Sequence, residues 1–405
     1  MLTKTETKLS LVDQMALLNK CIEQKLDLNT ELRKLGLTYE SLRYKSDSQI
    51  ESPTEIYEKI ENLRKPHNAI PAVSFFSGAG SMDIGFDYAG FNNIASIEIN
   101  DLFCETLRYN FPDRLVIGPP NFSGDVKDKD NIAKILQDSL NIQSPFEGVF
   151  HGGPPCQPFS IASNQRFAKS GNNFKRKGFE DEDKGNLLED YVWFINHFRP
   201  KVFVIENVPG LLELDNGHGL NKELQKLKDT GYNISKPQIL NTAEFGIPQK
   251  RMRLIIIGSR TNKNFEFPKP NNYKTPCFGV FSENLEDTEN HQTREHTAQS
   301  VLRYMQLEFG KRDQLGRVDR LNPFLPSKTV IAGGTKGGGR SHLHPYSPRT
   351  ISVRESARLQ TFPDNYTFTG PTARQFTQVG NAVPPLLAFK LANEIYEQFY
   401  FNNNE

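Results

Sequence analysis

The sequence has few cysteines and no long apolar run. Its four cysteines, at positions 21, 104, 156 and 277, form no Cys-x-x-Cys pair and no His-Cys pair at ligand spacing, so we expect no metal. No apolar stretch approaches the length of a membrane span, and Met1-Leu2-Thr3-Lys4 opens no signal sequence. We therefore expect a cytoplasmic protein with reduced thiols and no membrane partner.

The chain also lacks a strong charge of either sign. With 405 residues it is too long for one ordinary core, and its formal net charge is only +1. Any affinity for nucleic acid must therefore come from local patches. One patch lies between Lys311 and Arg349, where eight basic residues accompany two acidic ones, Asp313 and Asp319.

One cysteine stands in a turn that glycine and proline stiffen. Gly152-Gly153-Pro154-Pro155-Cys156 directly follows the apolar pair Val149-Phe150, which places Cys156 at the mouth of a predicted strand. That position is typical of a nucleophile. Taken alone, a buried structural cysteine is the commoner explanation, because free cysteines usually behave as small apolar side chains. The motifs around it favour the nucleophile.

A Gly-x-Gly loop upstream suggests a ligand site. Residues 73–76 form an apolar run, followed by Ser77-Gly78-Ala79-Gly80 and the start of a helix. Glycines let a ligand approach the backbone, although a plain strand-to-helix turn explains the loop equally well. Glu98, at the end of the next predicted strand, has the spacing of a carboxylate that binds ribose hydroxyls, which favours a nucleoside cofactor. Asp125, where a third strand would end, is either an adenine acceptor or a turn aspartate.

Two more predicted strands carry charged side chains. The apolar run 202–205 ends on Glu206, at the sheet edge where parallel sheets bind ligands, although a helix cap or surface acid is the alternative. Arg251 and Arg253 share one face of another strand. Buried arginines need anionic partners, and a carboxylate or a phosphate would serve.

Together these motifs resemble the DNA cytosine-5 methyltransferases of bacterial restriction-modification systems. Ser81 stands where that family usually has a glycine, and serine adopts a positive φ less readily. Ile99 stands where many members place a tryptophan against adenine. Over about residues 70 to 398, six blocks occur in the family's order: the Phe-x-Gly-x-Gly loop, Pro155-Cys156-Gln157, Glu206-Asn207-Val208, Gln249-x-Arg251-x-Arg253, Arg354-Glu355-x-Ala357-Arg358-Leu359-Gln360-x-Phe362-Pro363 and Gln378-x-Gly380-Asn381-Ala382-Val383-Pro384.

The resemblance implies an α/β, class I S-adenosylmethionine-dependent methyltransferase fold, Rossmann-like with a mostly parallel sheet. We expect a helical N-terminal extension (1–69), a catalytic and cofactor-binding domain (70–261), a smaller irregular target-recognition domain (262–348) and a C-terminal part that returns to the catalytic domain (349–405). Double-stranded DNA would lie in a cleft between the two larger domains. A helix from Leu386 to about Phe399 would pack beside the cofactor loop.

The resemblance also implies methyl transfer from S-adenosylmethionine to carbon 5 of a cytosine rotated out of the duplex. Cys156 would add to carbon 6, and Glu206 would protonate N3. Asn207 would fix the backbone and contact the base, while Arg251 and Arg253 would hold the carboxylate, the cytosine O2 or a phosphate. The expected cofactor contacts are Phe76, Ser77, Gly78, Gly80, Glu98, Ile99, Asp125, Pro155, Asn381 and Ala382.

DNA contacts are expected in two regions. The stretch Gln165 to Lys177 is basic with no acidic residue, and we interpret it as a loop that closes over DNA, a solvated loop being the alternative. Thr329-Val330 resembles the Thr-Leu or Thr-Val pair of the family's recognition domains, or it begins a strand. The expected DNA-binding residues are Ser160, Arg166, Lys169, Lys175, Arg176, Lys177, Thr329 and Arg340.

The first 70 residues lie outside the resemblance. Leu26 to Tyr44 predicts a helix, a tight turn at Gly36 and a capped second helix. This is faintly similar to the repressor helix-turn-helix of some bacterial members, but the balanced charge favours a small helical extension of unknown purpose.

Three other functions are disfavoured. A tRNA cytosine methyltransferase would carry a Cys-Phe-Thr signature in its recognition region, and we find none. A catalytically silent DNA-binding regulator would not need the intact set Cys156, Glu206, Arg251 and Arg253. A dinucleotide-dependent oxidoreductase would explain only the glycine loop and Glu98. We expect a monomer, with any cognate restriction endonuclease acting separately.

Overall fold

The computed structural model describes residues 8–46, 59–155, 187–281, 285, 287–332 and 341–401. Residue contacts divide the chain into two compact units. We call the first the large-sheet unit; it comprises Lys59–Phe245, Arg251–Asn272 and Ala382–Glu405. The second, the small-sheet unit, comprises Met1–Glu58, Gly246–Lys250 and Tyr273–Asn381. Across the described residues, no helix is long and apolar enough to cross a membrane.

The strands and helices follow one another in the order expected of an α/β chain. The strands are β1 Pro71–Phe75, β2 Asn92–Ile97, β3 Leu115–Ile117, β4 Val149–Gly152, β5 Val202–Asn207, β6 Asn233–Ile234, β7 Gln238–Asn241, β8 Met252–Ser259, β9 Arg312–Asp313, β10 Val318–Arg320 and β11 His342–Leu343. The helices are α1 Leu11–Glu23, α2 Leu28–Lys34, α3 Ser81–Tyr88, α4 Asp101–Asn110, α5 Lys129–Leu140, α6 Leu187–Phe198, α7 Gly210–Glu213, α8 His218–Asp229, α9 Ala298–Tyr304, α10 Val353–Leu359, α11 Thr372–Asn381 and α12 Pro385–Phe399.

The large-sheet unit is built on a mostly parallel sheet in the order β3-β2-β1-β4-β5-β8-β6, with β7 also paired to β8. Strands β1 to β5 run parallel, and β8 runs antiparallel to β5, β6 and β7. The central strands are buried on both faces, which is why they read as near-continuous apolar runs. The α/β, Rossmann-like fold expected from the sequence is confirmed.

The two faces of this sheet are covered differently. On one face, helices α5, α6 and α8 supply the main apolar core, in which the Phe75 ring lies 5.0–5.1 Å from the rings of Phe150, Tyr191 and Phe194. Elsewhere in the unit α12 packs on α3, the helix that follows the glycine loop. A Cβ at Gly85 would lie 2.4 Å from the Cβ of Ala388, so only glycine permits this approach. The C-terminal helix expected beside the loop is therefore present.

In the small-sheet unit, the N-terminal helices pack into an apolar core. Helices α1 and α2 bury apolar side chains against α9, and the strands order as β11-β10-β9. The turn at Gly36, φ 68°, was expected. Thr38 then caps a single 3-10 turn, Tyr39–Ser41, instead of the second helix predicted from the sequence. The chain leaves the helical conformation at Leu42, whose backbone is extended, and the side chains of Leu42 and Tyr44 are both buried.

Candidate active site

The glycine loop turns from β1 into α3 through two left-handed residues. Gly78 has φ 56° and Gly80 has φ 68°, conformations that residues with a Cβ rarely adopt. Ser81 is the first residue of α3. Ser81, which departs from the family pattern, therefore does not need a left-handed backbone conformation, and the loop keeps its shape.

Two residues that precede the glycines anchor the loop. Phe76 has φ 53°, and its ring contacts Tyr191 edge to face at 6.0 Å. The Ser77 amide donates to the Ile97 carbonyl at 3.0 Å, which ties the loop to β2. The left-handed Phe76 is strained for a residue with a Cβ, as is common next to functional sites.

Glu98 directly follows β2 and accepts two backbone hydrogen bonds. The amides of Gly78 and Asn100 each donate to its carboxylate at 2.8 Å. Burial raises the pKa of Glu98, and these hydrogen bonds partly offset the rise. The neighbouring Ile99 side chain is 59% exposed. A carboxylate and an apolar surface thus lie beside a helix N-terminus, a set that fits the ribose and the base of a nucleoside cofactor.

The sequence suggested that Asp125 lies where a third strand ends. In the structure it does not lie at a strand end. Strand β3 stops at Ile117, because two prolines that lack a donor follow shortly after. The Asp125 carboxylate accepts a hydrogen bond from the Lys127 amide at 3.0 Å. This contact agrees with the alternative interpretation of Asp125 as a turn aspartate. A Cβ at Gly124 would lie 2.2 Å from the Glu98 carbonyl oxygen, so this turn still packs against the end of β2.

Glu206 forms a buried ion pair with Arg253. Its carboxylate lies 2.7 Å from the Arg253 Nε, and both side chains are 12% exposed. Burial raises the pKa of Glu206, and the charges of Arg253 and Arg251 partly offset the rise. Neighbouring strands β5 and β8 bring the pair together from positions far apart in the sequence. The anionic partner of Arg253 is thus a carboxylate of the chain itself.

The turn after β4 lies against this carboxylate. A Cβ at Gly153 would lie 2.5 Å from Glu206 Oε2, so the close approach requires glycine. The Asn207 amide donates to the Pro154 carbonyl at 3.1 Å, and its oxygen accepts the Val208 amide at 2.8 Å. Asn207 therefore holds the backbone that leads to the cysteine of the turn.

The roles of several other expected site residues stay predictions. Pro155 is exposed at the end of a described stretch. Asn381 is exposed at the end of α11, and Ala382 is buried. The remaining ones lie outside the described residues, so their roles stay predictions: Cys156, Ser160, Arg166, Lys169, Lys175, Arg176, Lys177 and Arg340.

Gln249 has a positioning role that the sequence reasoning did not assign. Its amide donates to Gln360 Oε1 at 2.8 Å, and its oxygen accepts the Val330 amide at 2.7 Å. The exposed Thr329 donates its hydroxyl to the Lys250 carbonyl at 2.7 Å. Thr329-Val330 does not begin a strand, so that alternative was wrong. Its place two residues before Arg251, in the block Gln249-x-Arg251-x-Arg253, was the available signal.

A buried polar cluster below the glycine loop was also missed. Asp83 of α3 is fully buried and accepts hydrogen bonds from the hydroxyls of Ser74, at 2.7 Å, and Ser96, at 2.6 Å. Arg114 pairs with it at 3.2 Å. These contacts attach α3 to β1 and β2. The signal was an acidic residue among apolar ones in Met82-Asp83-Ile84.

Comparison with known proteins agrees with this geometry. Residues 70–397 match the family model of the C-5 cytosine-specific DNA methylase. The chain is 32% identical over 352 residues to the Type II methyltransferase M1.HphI of Haemophilus parahaemolyticus, covering 82% of this chain and 87% of that one. It is 31% identical over 370 residues to M.NgoFVII of Neisseria gonorrhoeae, covering 85% and 91%.

Solved structures agree on the fold. A DNA modification methyltransferase encoded within an Escherichia coli prophage superposes with a TM-score of 0.65 at 22% identity, covering 81% of this chain and 99% of that one. The Entamoeba histolytica methyltransferase EhMeth gives a TM-score of 0.56 at 16% identity, covering 82% and 99%. The chain belongs to the C-5 cytosine-specific DNA methylase family, of the bacterial restriction-modification type that its motifs predicted.

Proposed function

We propose that this protein methylates carbon 5 of a flipped-out cytosine within a specific sequence of double-stranded DNA, and so protects the DNA of its host from a cognate endonuclease. The observation that carries the proposal is the buried Glu206–Arg253 pair, which lies against the turn that leads to Cys156. When bound, S-adenosylmethionine supplies the electrophilic methyl group. Glu98 and the Gly78–Gly80 loop would hold its ribose, and the exposed Ile99 would contact its adenine.

The reaction requires a nucleophile, because carbon 5 of cytosine is too electron-poor to accept a methyl group directly. The Cys156 thiolate forms a bond with carbon 6, and Glu206 donates a proton to N3 as electron density enters the ring. Burial raises the pKa of Glu206, which favours the protonated form that this step uses. Carbon 5 then takes the methyl group and loses its proton to water. The sulfur–carbon bond breaks, and N3 returns its proton to Glu206.

The remaining polar groups position the reactants. Asn207 holds the Pro154 carbonyl, and we propose that this fixes the direction in which Cys156 leaves the turn. Arg253 keeps the Glu206 carboxylate in place, and Arg251, 3% exposed, adds a second buried cation for the cytosine O2 or a phosphate.

The target base has to leave the duplex, because the thiol approaches the ring at carbon 6 and the methyl donor must reach the neighbouring atom. The exposed Thr329 and the basic residues of both predicted regions would contact DNA. We expect the enzyme to act on DNA as a monomer in the cytoplasm. The endonuclease would act separately.

The test begins with bisulfite sequencing of plasmid DNA from cells that express the protein, which identifies the methylated sequence. A duplex carrying 5-fluorocytosine at that position should then be captured covalently by the purified enzyme in the presence of S-adenosylmethionine, because fluorine cannot leave as a proton does. Cys156→Ser should abolish both capture and methylation. Cys277→Ser is the matched control, since burial raises the pKa of that thiol to about 12 and leaves it unreactive. Capture by Cys156→Ser would refute the mechanism.

A further inference from the structure

Residues 8–46, the N-terminal segment, are packed into the small-sheet unit. Apolar residues of α1 and α2, among them Leu18 and Leu28, form one cluster with Val301 and Met305 of the α9 region. The Gln14 side chain closes the segment on itself by bonding both the amide and the carbonyl of Arg43, at 2.8 and 2.9 Å. The apolar faces of both helices are therefore already occupied within the unit.

Glu40 connects this segment to a buried arginine. Arg349 is 2% exposed and donates two hydrogen bonds to the Glu355 carboxylate, at 2.8 and 2.9 Å, and a third to Glu40. The Ser347 hydroxyl donates to the same Glu40 carboxylate at 2.7 Å. Burial raises the pKa of Glu40, but Arg349 and its neighbours outweigh this and lower it to about 2. The N-terminal segment thus supplies the second carboxylate around a buried guanidinium.

Tyr44 makes a second connection, at the ends of two strands. The Arg320 guanidinium, at the end of β10 and fully buried, lies 3.4 Å from the centre of the Tyr44 ring. The Tyr44 hydroxyl donates to the carbonyl of His344, just after β11, at 2.8 Å. One side chain of the N-terminal segment therefore holds both β10 and β11.

We propose that Glu40 and Tyr44 are positioning residues for target recognition, and that the N-terminal segment is a fixed part of the recognition unit. Thr329, the expected DNA contact, lies between β10 and β11 in the sequence. Tyr44 contacts the C-terminal ends of both strands, and Glu40 holds Ser347 and Arg349 in the turn that follows β11, so the two residues together fix the strands that flank this stretch. The inference rests on the proposed function, because it takes the small-sheet unit to be the part that reads DNA.

The test compares three variants, at Glu40 and Glu31, of the full-length enzyme on a duplex with the sequence that bisulfite sequencing identifies. Glu40→Gln weakens the bond to Arg349, and we expect the KM for DNA to rise about tenfold, while kcat and the KM for S-adenosylmethionine stay within about twofold. Glu40→Asp keeps the charge and should recover part of the loss. Glu31→Gln is the matched control, because Glu31 pairs with Lys20 and Lys34 inside the segment; its KM for DNA should match the wild type.

Thermal unfolding of each variant shows whether the small-sheet unit is folded. Equal KM values for DNA in Glu40→Gln and Glu31→Gln would overturn the positioning role. So would a Glu40→Gln variant that loses affinity for DNA and cofactor alike, because that pattern indicates general destabilisation. If the wild type methylates no DNA at all, the proposed function itself fails. That outcome differs from an active enzyme whose KM for DNA does not change when Glu40 is replaced.

Discussion

The substitution Glu206→Gln tests the centre of the proposed chemistry. Glutamine keeps the shape of the side chain but carries no transferable proton and no negative charge. In the wild type the carboxylate lies 2.7 Å from the Arg253 Nε, with both side chains 12% exposed. The variant therefore removes the proton donor for N3 and leaves Arg253 without its carboxylate partner.

The two effects have different expected sizes. Because burial raises the pKa of Glu206 even beside Arg253, loss of its charge alone costs little, and we expect about 1–3 kcal/mol of the free energy of unfolding from the weakened hydrogen bond to Arg253. For a unit of roughly 150–250 residues, each kcal/mol corresponds to about 2–4 °C, so the melting temperature should fall by roughly 2–12 °C. Loss of a general acid lowers the chemical rate by about 10²–10⁴-fold.

A double variant separates the two effects. Glu206→Gln combined with Arg253→Met removes both charges, and replacing an entire buried pair by neutral groups is often close to neutral for stability. The double variant should therefore regain much of the lost melting temperature but none of the lost rate. The assays are calorimetry for unfolding and single-turnover methyl transfer for chemistry, with Arg253→Met alone as the control.

Two results would refute this reasoning. A Glu206→Gln enzyme with an undiminished single-turnover rate would exclude Glu206 as the acid. A double variant that recovers the rate of Arg253→Met would show that the carboxylate serves only to neutralise the arginine.

Three further predictions follow from other contacts. Asn207→Ala removes the hydrogen bond to the Pro154 carbonyl, and we expect about 1–3 kcal/mol of destabilisation and a lower kcat by single-turnover kinetics; an unchanged kcat would contradict the positioning of the turn. Gly85→Ala places a methyl group 2.4 Å from the Cβ of Ala388, so overpacking of about 1–3 kcal/mol should lower the melting temperature, and a wild-type value would show that the helices separate freely. Because the pKa of Glu40 is lower in the folded state, its stabilisation is complete above about pH 4.5 and is lost as the pH falls towards about 2. The urea midpoints of Glu40→Gln and wild type should therefore converge at acidic pH, and a constant difference would exclude this carboxylate as the cause.

The sequence by itself determined the family and the order of the strands along the chain. Strand, glycine turn and helix are encoded locally by apolar runs and by residues that tolerate left-handed φ, so the loop around Gly78 could be located from the pattern, whereas the proposed role of Glu206 came from the family resemblance. Local signals failed where a longer contact competes. Thr38 caps one 3-10 turn and not a helix. The chain then becomes extended at Leu42, and the side chains of Leu42 and Tyr44 are buried.

Only the tertiary structure decided which charged groups meet. Glu206 and Arg253 are partners because β5 and β8 are neighbours in the sheet, and strand order depends on how the helices pack rather than on any one segment. Glu40 reaches Arg349 across 309 positions of sequence. No periodicity records such a pairing, since it forms only when the fold brings Glu40 onto the buried Arg349. The purpose of the N-terminal segment could therefore be inferred only from the folded chain.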